Sequence, residues 1–360
     1  MELCSQAELY TAAVIQSEVP NPSLSAMHFL SIAGALLCAL FSTAYAKDGR
    51  PAPTEKIVVL ITGCSSGIGR QLSLAFAGHS SARFRVYATM RDVSKWESDG
   101  DTSYDNLFIE RLDVTSESDC HDAVASILSR EKRIDILVNN AGYGMAGYLE
   151  SVEVDEAKDL FDVNVWGAVR MAQAVLPSMR RSSWGHIINI SSTSGVRGIP
   201  TLEIYTGSKF ALEGIMDSLR YGVANFNISI TNVNAGPIRT KFTDRFGVSS
   251  AGGRGTRSIV DDEQGYLSAL TQTYIDALNA RMASAEAQSA AEASSVIINL
   301  ALLKQSSSSI TEVPFNFGTN HFSQELLESV KKQPTGWGSI YTSILSSLPP
   351  LKPASARTDL

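Results

Sequence analysis

Short apolar runs alternate with helical stretches from Lys56 onward, and this alternation limits the fold of the chain more than any other feature of the sequence. Six runs are predicted as strands: 57–62, 85–89, 107–112, 134–139, 186–190 and 229–234. Strands that alternate with helices run parallel, and helices cover both faces of the sheet they build. The sequence therefore predicts an α/β fold with a doubly wound parallel sheet in a single domain.

The composition excludes several other kinds of protein. The 360 residues are 44% hydrophobic and 19% charged, as in an ordinary globular chain. The formal net charge is −7 and no run of Lys or Arg exceeds two, so nucleic acid is not an expected partner. Cys4, Cys38, Cys64 and Cys120 are widely spaced without a CxxC pair, so neither a disulfide framework nor a metal site is predicted.

Residues 27–46 (MHFLSIAGALLCALFSTAYA) form an uncharged, largely apolar segment ahead of the predicted sheet. The segment ends in the triplet Ala44-Tyr45-Ala46, which is typical of a cleavable signal peptide. Twenty helical residues also span about 30 Å, so a membrane anchor is an alternative. The preceding 26 residues lack the Lys or Arg that a signal peptide normally carries, so Met27 as the real start of the chain is an alternative. A buried core helix is a further alternative. The segment predicts membrane association and a place in the endoplasmic reticulum, with secretion or another organelle left open.

A glycine-rich loop, Thr62-Gly63-Cys64-Ser65-Ser66-Gly67-Ile68-Gly69, follows the first predicted strand directly and leads into a helix. Glycines there let the backbone turn tightly and let a pyrophosphate approach the amides at the positive helix N-terminus. The loop predicts dinucleotide binding on a Rossmann-like sheet, against the alternative of a structural glycine turn. The predicted contacts are Gly63, Ser65, Ser66, Gly67, Ile68 and Gly69.

The end of the second predicted strand bears on the choice between NAD and NADP. An acidic residue at this tip binds the ribose 2′-hydroxyl of NAD, whereas a nearby basic residue accommodates the 2′-phosphate of NADP. Thr89 occupies the tip and Arg91 lies two residues further, so NADP(H) is favoured over NAD(H). NAD(H) stays an alternative because the acidic Asp92 lies close to the strand tip. A merely solvated loop charge is the structural alternative for Arg91.

Tyr205 and Lys209 stand four residues apart on a predicted helix, which places both side chains on one face. An ammonium group beside a phenol favours the phenolate and lowers the tyrosine pKa, which allows the phenol to act as a general acid and base. A half-buried tyrosine beside a surface lysine is the structural alternative.

Other polar residues follow the strands at the same sheet edge, where open α/β sheets bind ligands. Ser192 follows the fifth strand and residues 139–142 (Asn-Asn-Ala-Gly) end the fourth. Asn164 lies in the next helix, and residues 234–240 follow the sixth strand.

These motifs together make the sequence similar to the short-chain dehydrogenase/reductases. TGxxxGIG at 62–69, NNAG at 139–142, Asn164, Ser192 and YxxxK at 205–209 have the order and spacing of that family. The resemblance covers about half of the chain, from 56 to 240, and it looks nearest to the oestradiol 17-dehydrogenase and photoreceptor retinol dehydrogenase branch. One departure is Ala235-Gly236, with Pro237 next, in place of the family's Pro-Gly.

The resemblance implies catalytic roles for four side chains. Tyr205 would exchange a proton with the substrate oxygen, and Ser192 would hold that oxygen by a hydrogen bond. Lys209 would lower the pKa of Tyr205 and bind the nicotinamide ribose, while Asn164 would support a water that relays protons. The further cofactor positions that it implies are Asp113, Val114, Asn140, Ala141, Gly142, Ile238 and Thr240.

The function predicted on this basis is an NADP(H)-dependent oxidoreductase that interconverts a secondary or allylic alcohol and its carbonyl on an apolar steroid, retinoid or lipid. The alternatives are a membrane-associated ketone reductase of lipid synthesis and a non-catalytic nucleotide-binding protein. A homo-oligomer is left open.

The boundaries predicted for the chain are an extension at 1–46, a linker at 47–55, the catalytic domain at 56–345 and a flexible tail at 346–360. Within the domain, 241–290 is expected to form a loop and helices over the substrate.

Overall fold

The structure is a computed structural model that describes residues 49–52, 54–81, 83–96, 104–242, 287–306 and 315–317, with scattered positions between 272 and 283. The signal or anchor segment 27–46, the tail 346–360 and most of the substrate segment 241–290 lie outside these residues. No helix within the described ranges is both long and apolar enough to span a membrane.

Nine strands occur among the described residues. They are β1 (Ile57–Thr62), β2 (Phe84–Met90), β3 (Leu107–Arg111), β4 (Ile136–Asn139), β5 (Gly185–Ile190), β6 (Ile228–Ala235), β7 (Ile238–Arg239), β8 (Gln288–Ser289) and β9 (Phe315–Phe317). The helices are α1 (Gly67–Ala77), α2 (Glu117–Glu131), α3 (Val154–Phe161), α4 (Ala168–Ser182), α5 (Glu203–Val223) and α6 (Ala290–Ser306).

Seven strands form one parallel sheet in the order β3-β2-β1-β4-β5-β6-β9. This order confirms the predicted doubly wound, Rossmann-like α/β fold, because the chain passes from β1 outward to β3 and then returns to place β4 on the other side of β1. The carboxyl ends of β1 and β4 consequently flank a crevice. The strand β9 was not predicted and adds a seventh member beside β6.

The six predicted strands are all present, with small changes at their ends. The largest change is in the predicted strand 134–139, which begins only at Ile136. The backbone of Asp135 still bonds to Val58 (2.9 Å) and His186 (2.8 Å) on the two neighbouring strands. Its carboxylate also accepts a hydrogen bond from the N–H of Val58 (2.8 Å) and pairs with Arg133 (2.6 Å), so a side chain supplements the strand ladder at this end of the sheet.

The core lies on both faces of the sheet, which explains why the central strands are apolar without alternation. Every residue of β1 is buried, and its odd and even positions pack into two separate clusters. Ile61 belongs to the cluster under α1 and α6, whereas Leu60 belongs to the cluster under α2 and α4.

Three buried asparagines join the central strands at one register position. Asn139 on β4, Asn189 on β5 and Asn232 on β6 are neighbours in the ladder. The side-chain amide of Asn139 donates to Asn189 (2.9 Å), and that of Asn189 donates to Asn232 (2.9 Å). Paired amides of this kind fix strand register because an unsatisfied buried amide is costly.

Candidate active site

A cleft of about 780 Å³ opens at the carboxyl ends of the strands. Every predicted site residue except Gly69 and Asn164 lines it. Both exceptions lie directly behind the lining, as their contacts below show. The position agrees with the general placement of ligands in open α/β sheets.

The glycine loop after β1 uses backbone conformations that favour glycine. Gly63 has φ +72° and Gly67 has φ +61°, both in the left-handed region. A Cβ on Gly63 would lie 2.6 Å from the Cα of Ala141, so the loop also packs tightly on the residues after β4. Gly63 is therefore required both for the turn and for the close approach.

Asn140 ties this loop to β4. Its side-chain amide donates to the carbonyl oxygens of Thr62 (2.9 Å) and Gly63 (3.0 Å), and the Thr62 hydroxyl accepts from the N–H groups of Asn140 and Ala141 (3.1 Å each). A Cβ on Gly69 would collide with the same Asn140 amide and with the Gly63 carbonyl. Gly69 therefore acts by letting α1 approach the loop.

The tip of β2 carries positive charge toward the cleft. The hydroxyl of Thr89 donates to the carbonyl of Ile61 (2.9 Å) and is turned into the sheet. Asp92 accepts hydrogen bonds from the N–H (3.1 Å) and hydroxyl (2.7 Å) of Ser94, which lower its pKa. The exposed Arg91 and Lys95 also line the cleft.

Asp113 and Val114 form the wall of the cleft beyond β3. One oxygen of the Asp113 carboxylate accepts from the N–H (3.1 Å) and hydroxyl (2.8 Å) of Thr115. The carbonyl of Val114 accepts from Arg170 (3.1 Å), which fixes this wall to α4.

Asn164 lies in a π-helical segment, Asp162–Gly167, between α3 and α4. Such segments are frequent at functional sites. The Oδ1 of Asn164 accepts from the N–H of Tyr143 (3.0 Å), and its amide donates to the Tyr143 carbonyl (2.9 Å) and the Ser208 hydroxyl (3.2 Å). The side chain thus joins the loop after β4 to α5. Its contact with a relay water stays a prediction.

Ser192, Tyr205 and Lys209 converge in the cleft. Ser192 follows β5, and its Oγ accepts from the N–H of Ser194 (3.1 Å) while a side-chain hydrogen bond joins it to Tyr205. The ammonium of Lys209 donates to the carbonyl of Ile190 (2.9 Å) and lies 5.8 Å from the centre of the Tyr205 ring. Tyr205 and Lys209 are only 5% and 6% exposed, so this pair is not a surface feature.

Burial controls the ionisation of both groups on α5. It raises the pKa of Tyr205 to about 12, against the lowering effect of the Ser192 hydrogen bond. It lowers the pKa of Lys209 to about 8, against the raising effect of the Glu213 carboxylate. The expectation that the ammonium holds the tyrosine pKa below its ordinary value is therefore wrong for this structure, because removal from water penalises both charged forms.

The segment after β6 closes the other side of the cleft. Ile238 belongs to β7, which pairs with β8, and Thr240 lies close to Gly67 across the crevice. Pro237 lines the cleft in this register, and Ile238 and Thr240 still line it despite the departure at Ala235-Gly236. The ring of Phe242 lies 5.9 Å from that of Tyr205.

Three residues with a part in the site were not assigned from the sequence. Thr62 receives the two backbone N–H groups after β4, and Asn234 donates to the Ser192 carbonyl (3.2 Å). Glu213 stands four residues after Lys209, which is the spacing that could have pointed to it.

Comparison with known proteins agrees with this geometry. The family model described as short chain dehydrogenase matches residues 57–248. Human retinol dehydrogenase 8 is 43% identical over 189 residues, covering 51% of this chain and 60% of the relative. Human 17-beta-hydroxysteroid dehydrogenase type 1 is 39% identical over 194 residues, covering 53% and 59%. The 3-ketodihydrosphingosine reductase of Bacteroides thetaiotaomicron is 38% identical over 199 residues, covering 55% and 70%.

Solved structures give the same result. A short-chain dehydrogenase from Streptomyces avermitilis is similar with a TM-score of 0.61 and 28% identity, covering 80% of this chain and 99% of that one. A serine dehydrogenase complexed with NADP+ has a TM-score of 0.58 and 25% identity, covering 73% and 94%. The chain spans about three-fifths of the retinol and steroid dehydrogenases that it matches. From its motifs, its sheet and a match over more than half its length, the chain belongs to the short-chain dehydrogenase family.

Proposed function

We propose that the protein is an NADP(H)-dependent oxidoreductase that interconverts a secondary or allylic alcohol and its carbonyl on an apolar substrate. The observation that carries the proposal is the meeting of Ser192, Tyr205 and Lys209 in one cleft with the glycine loop. A proton donor, a second hydroxyl for the substrate oxygen and a cation are what carbonyl reduction requires.

The residues of the glycine loop fit the phosphates of a dinucleotide. Ser66 precedes α1 without a side-chain hydrogen bond to the helix, and the first turn carries no acidic residue. The N–H groups of that turn are therefore available to an anion at the positive helix end. Gly63 and Gly67 adopt the positive φ values that turn the loop into α1.

The charges at the tip of β2 support the choice of NADP(H). Arg91 and Lys95 suit a 2′-phosphate, whereas Asp92 accepts both Ser94 hydrogen bonds on one carboxylate oxygen and has the other 3.9 Å from the Lys95 ammonium. The serine dehydrogenase with a similar fold is itself complexed with NADP+.

The chemistry divides between the cofactor and the chain. When bound, NADP(H) supplies or accepts the hydride. Ser192 holds the substrate oxygen by a hydrogen bond, and Tyr205 exchanges the proton with that oxygen. Lys209 lies close enough to stabilise the phenolate that forms as the proton leaves. Asn164 keeps the loop after β4 in place beside this group.

The protonation states of Tyr205 and Lys209 at neutral pH are compatible with proton donation to a carbonyl. With a pKa of about 12, the phenol is protonated at neutral pH and is ready to donate. Lys209, with a pKa of about 8, is mostly charged at the same pH. Tyr205 can thus give a proton to a carbonyl oxygen, which is the reductive half of the proposed interconversion.

Apolar side chains around Tyr205 support an apolar substrate. The cleft lining includes Tyr143, Met145, Ile199, Leu202 and Phe242, and the Phe242 ring lies 5.9 Å from that of Tyr205. The relatives named as retinol and steroid dehydrogenases agree with a substrate of this kind.

A second candidate, a ketone reductase of lipid synthesis, is favoured by one specific comparison. The 3-ketodihydrosphingosine reductase is covered over 70% of its length, more than either of the other relatives described above. This candidate uses the same residues and differs only in substrate. Membrane association through residues 27–46 would suit it, and cell fractionation of the full chain tests that part.

A substrate panel tests the function. The full-length chain is assayed with NADPH and NADH against a retinoid aldehyde, a 17-ketosteroid, a long-chain 2-amino-3-ketone and a small hydrophilic ketone, and loss of the reduced nicotinamide is followed by absorbance. We expect NADPH-dependent turnover of at least one apolar carbonyl and none of the hydrophilic ketone. Turnover that prefers the hydrophilic ketone, or no turnover of any, would contradict the proposal.

A further inference from the structure

We propose that Glu213 is a positioning residue that holds the Ser192 turn against α5 and supplies the negative charge that faces Lys209. The inference rests on the proposed function for its kinetic consequences, whereas its electrostatic part can be measured without turnover.

The first support is the hydrogen bonding of the carboxylate. The Oε1 of Glu213 accepts from the side-chain amide of Asn234 at 2.5 Å, and the same amide donates to the carbonyl of Ser192 at 3.2 Å. One amide therefore links the helix that carries Tyr205 to the backbone of the residue that faces it. Short hydrogen bonds to a charged acceptor are among the stronger ones in proteins.

The second support is the packing of Glu213 against the turn itself. A Cβ placed on Gly195 would lie 3.0 Å from the Cγ and 3.1 Å from the Oε1 of Glu213, and 2.7 Å from the Oγ of Ser191. Glycine at 195 thus admits the glutamate side chain against the short helical turn Thr193–Gly195. The acid fills the space between this turn, β6 and α5.

The third support is the scarcity of other charges near Lys209. On its own helix it faces Tyr205 and Glu213. The strand β6 and the turn Thr193–Gly195, which pack on α5, contain no titratable side chain. The charged side chain of the π-helical segment, which also packs on α5, is Asp162, and it is paired with Arg170 (2.6 Å).

The remaining charged groups of α3, which also packs on α5, are Asp155, Glu156, Lys158 and Asp159. Asp155 is exposed and paired with Lys158 (2.8 Å). Among the described residues, Glu213 is the carboxylate whose charge raises the pKa of Lys209, while burial raises the pKa of Glu213 itself. Its removal should therefore lower that pKa further, and Lys209 should lose its charge at a lower pH.

The test compares Glu213→Gln with Asp155→Asn, which removes a carboxylate of the same charge from an exposed site on α3. The pKa of Lys209 is measured by ¹³C NMR of labelled lysine in the full chain and assigned with Lys209→Met. We expect the titration midpoint to fall by about one pH unit in Glu213→Gln and to stay unchanged in Asp155→Asn. Unchanged midpoints in both variants would overturn the electrostatic part.

Kinetics complete the test. In the reductive direction, the alkaline limb of kcat/KM should move down in pH with the NMR midpoint in Glu213→Gln only. Asn234→Ala removes the link to Ser192 and one hydrogen bond that lowers the pKa of Glu213, so it should lower kcat about tenfold and move the midpoint less than Glu213→Gln does. An Asn234→Ala enzyme with wild-type kcat would overturn the positioning part.

Two outcomes keep the inference and the proposed function separate. If the wild-type chain reduces no substrate while the Lys209 midpoint still shifts in Glu213→Gln, the proposed function fails and the electrostatic part stands.

If Glu213→Gln does not fold, Glu213→Asp retains the charge on a shorter side chain. It should keep the midpoint and lower kcat, and a lowered midpoint with wild-type kcat would contradict the inference.

Discussion

The glycine loop after β1 and the helix α5 face each other across the cleft, and they are built on different principles. The loop depends on backbone shape: Gly63 and Gly67 adopt positive φ, and Asn140 holds the loop by hydrogen bonds to carbonyl groups. The α5 side depends on charge, since Tyr205 and Lys209 are buried groups whose pKa values are displaced by burial. NADPH binding on the loop side, the cofactor half of the cleft, should therefore be sensitive to added side-chain atoms and insensitive to pH. The rate of reduction on the α5 side, the catalytic half, should be sensitive to pH and less sensitive to added atoms.

The largest expected effect among the tests of this contrast is that of Gly63→Ala. The new Cβ would meet the backbone of Ala141 at 2.6 Å in a backbone conformation that alanine disfavours. We expect NADPH affinity, measured by fluorescence titration, to fall at least about 100-fold at every pH from about 6 to 9.

A matched control for that substitution is Gly214→Ala on α5. Gly214 is exposed, and a Cβ there would have no neighbour within 4 Å. Affinity should stay at the wild-type value in the control, and an equal loss in both variants would mean that the loop is not the feature that matters.

The pH dependence of reduction should have a smaller effect and should belong to the α5 side alone. Lys209 is charged below its pKa of about 8 and loses its charge as the pH rises above it, while Tyr205 stays protonated until about pH 12. Reductive kcat/KM should therefore fall about tenfold per pH unit above about pH 8, and NADPH affinity should vary little. Affinity that falls in parallel with kcat/KM would remove the contrast between the two sides.

The smallest effect is expected at the edge of the cofactor half. Arg91→Ala should weaken NADPH about 5-fold to 10-fold and NADH by less than about twofold, because an exposed charge contributes modestly. Arg181→Ala, an exposed arginine at the end of α4, is the control and should change neither affinity. Equal losses for the two cofactors in Arg91→Ala would contradict the NADP(H) assignment.

The sequence predicted the fold well because the relevant signals are local. Strand runs such as Ile57–Thr62 are apolar up to their last residue, and the glycine spacing from Gly63 to Gly69 marks the turn into α1. The short strand Phe315–Phe317 could not be predicted because its assignment depends on pairing with Val233, a contact distant in sequence.

The structure brings the residues predicted from the sequence to one cleft, but their electrostatics could not be predicted. Tyr205 and Lys209 are recognisable by spacing, yet the direction of the tyrosine pKa depends on burial, which spacing does not report. Asn234 and Glu213 were missed for a similar reason, since their partners come together only when β5, β6 and α5 pack. Short motifs identify the groups, and tertiary packing decides their protonation.

The most direct test of the central claim is Tyr205→Phe, with NADPH binding and single-turnover reduction of the best apolar carbonyl measured on the same preparation. The substitution removes only the hydroxyl, so NADPH affinity should stay within about twofold while the rate of reduction falls at least about 1000-fold. A rate within about tenfold of the wild-type value, with NADPH bound normally, would contradict the assignment of Tyr205 as the proton donor.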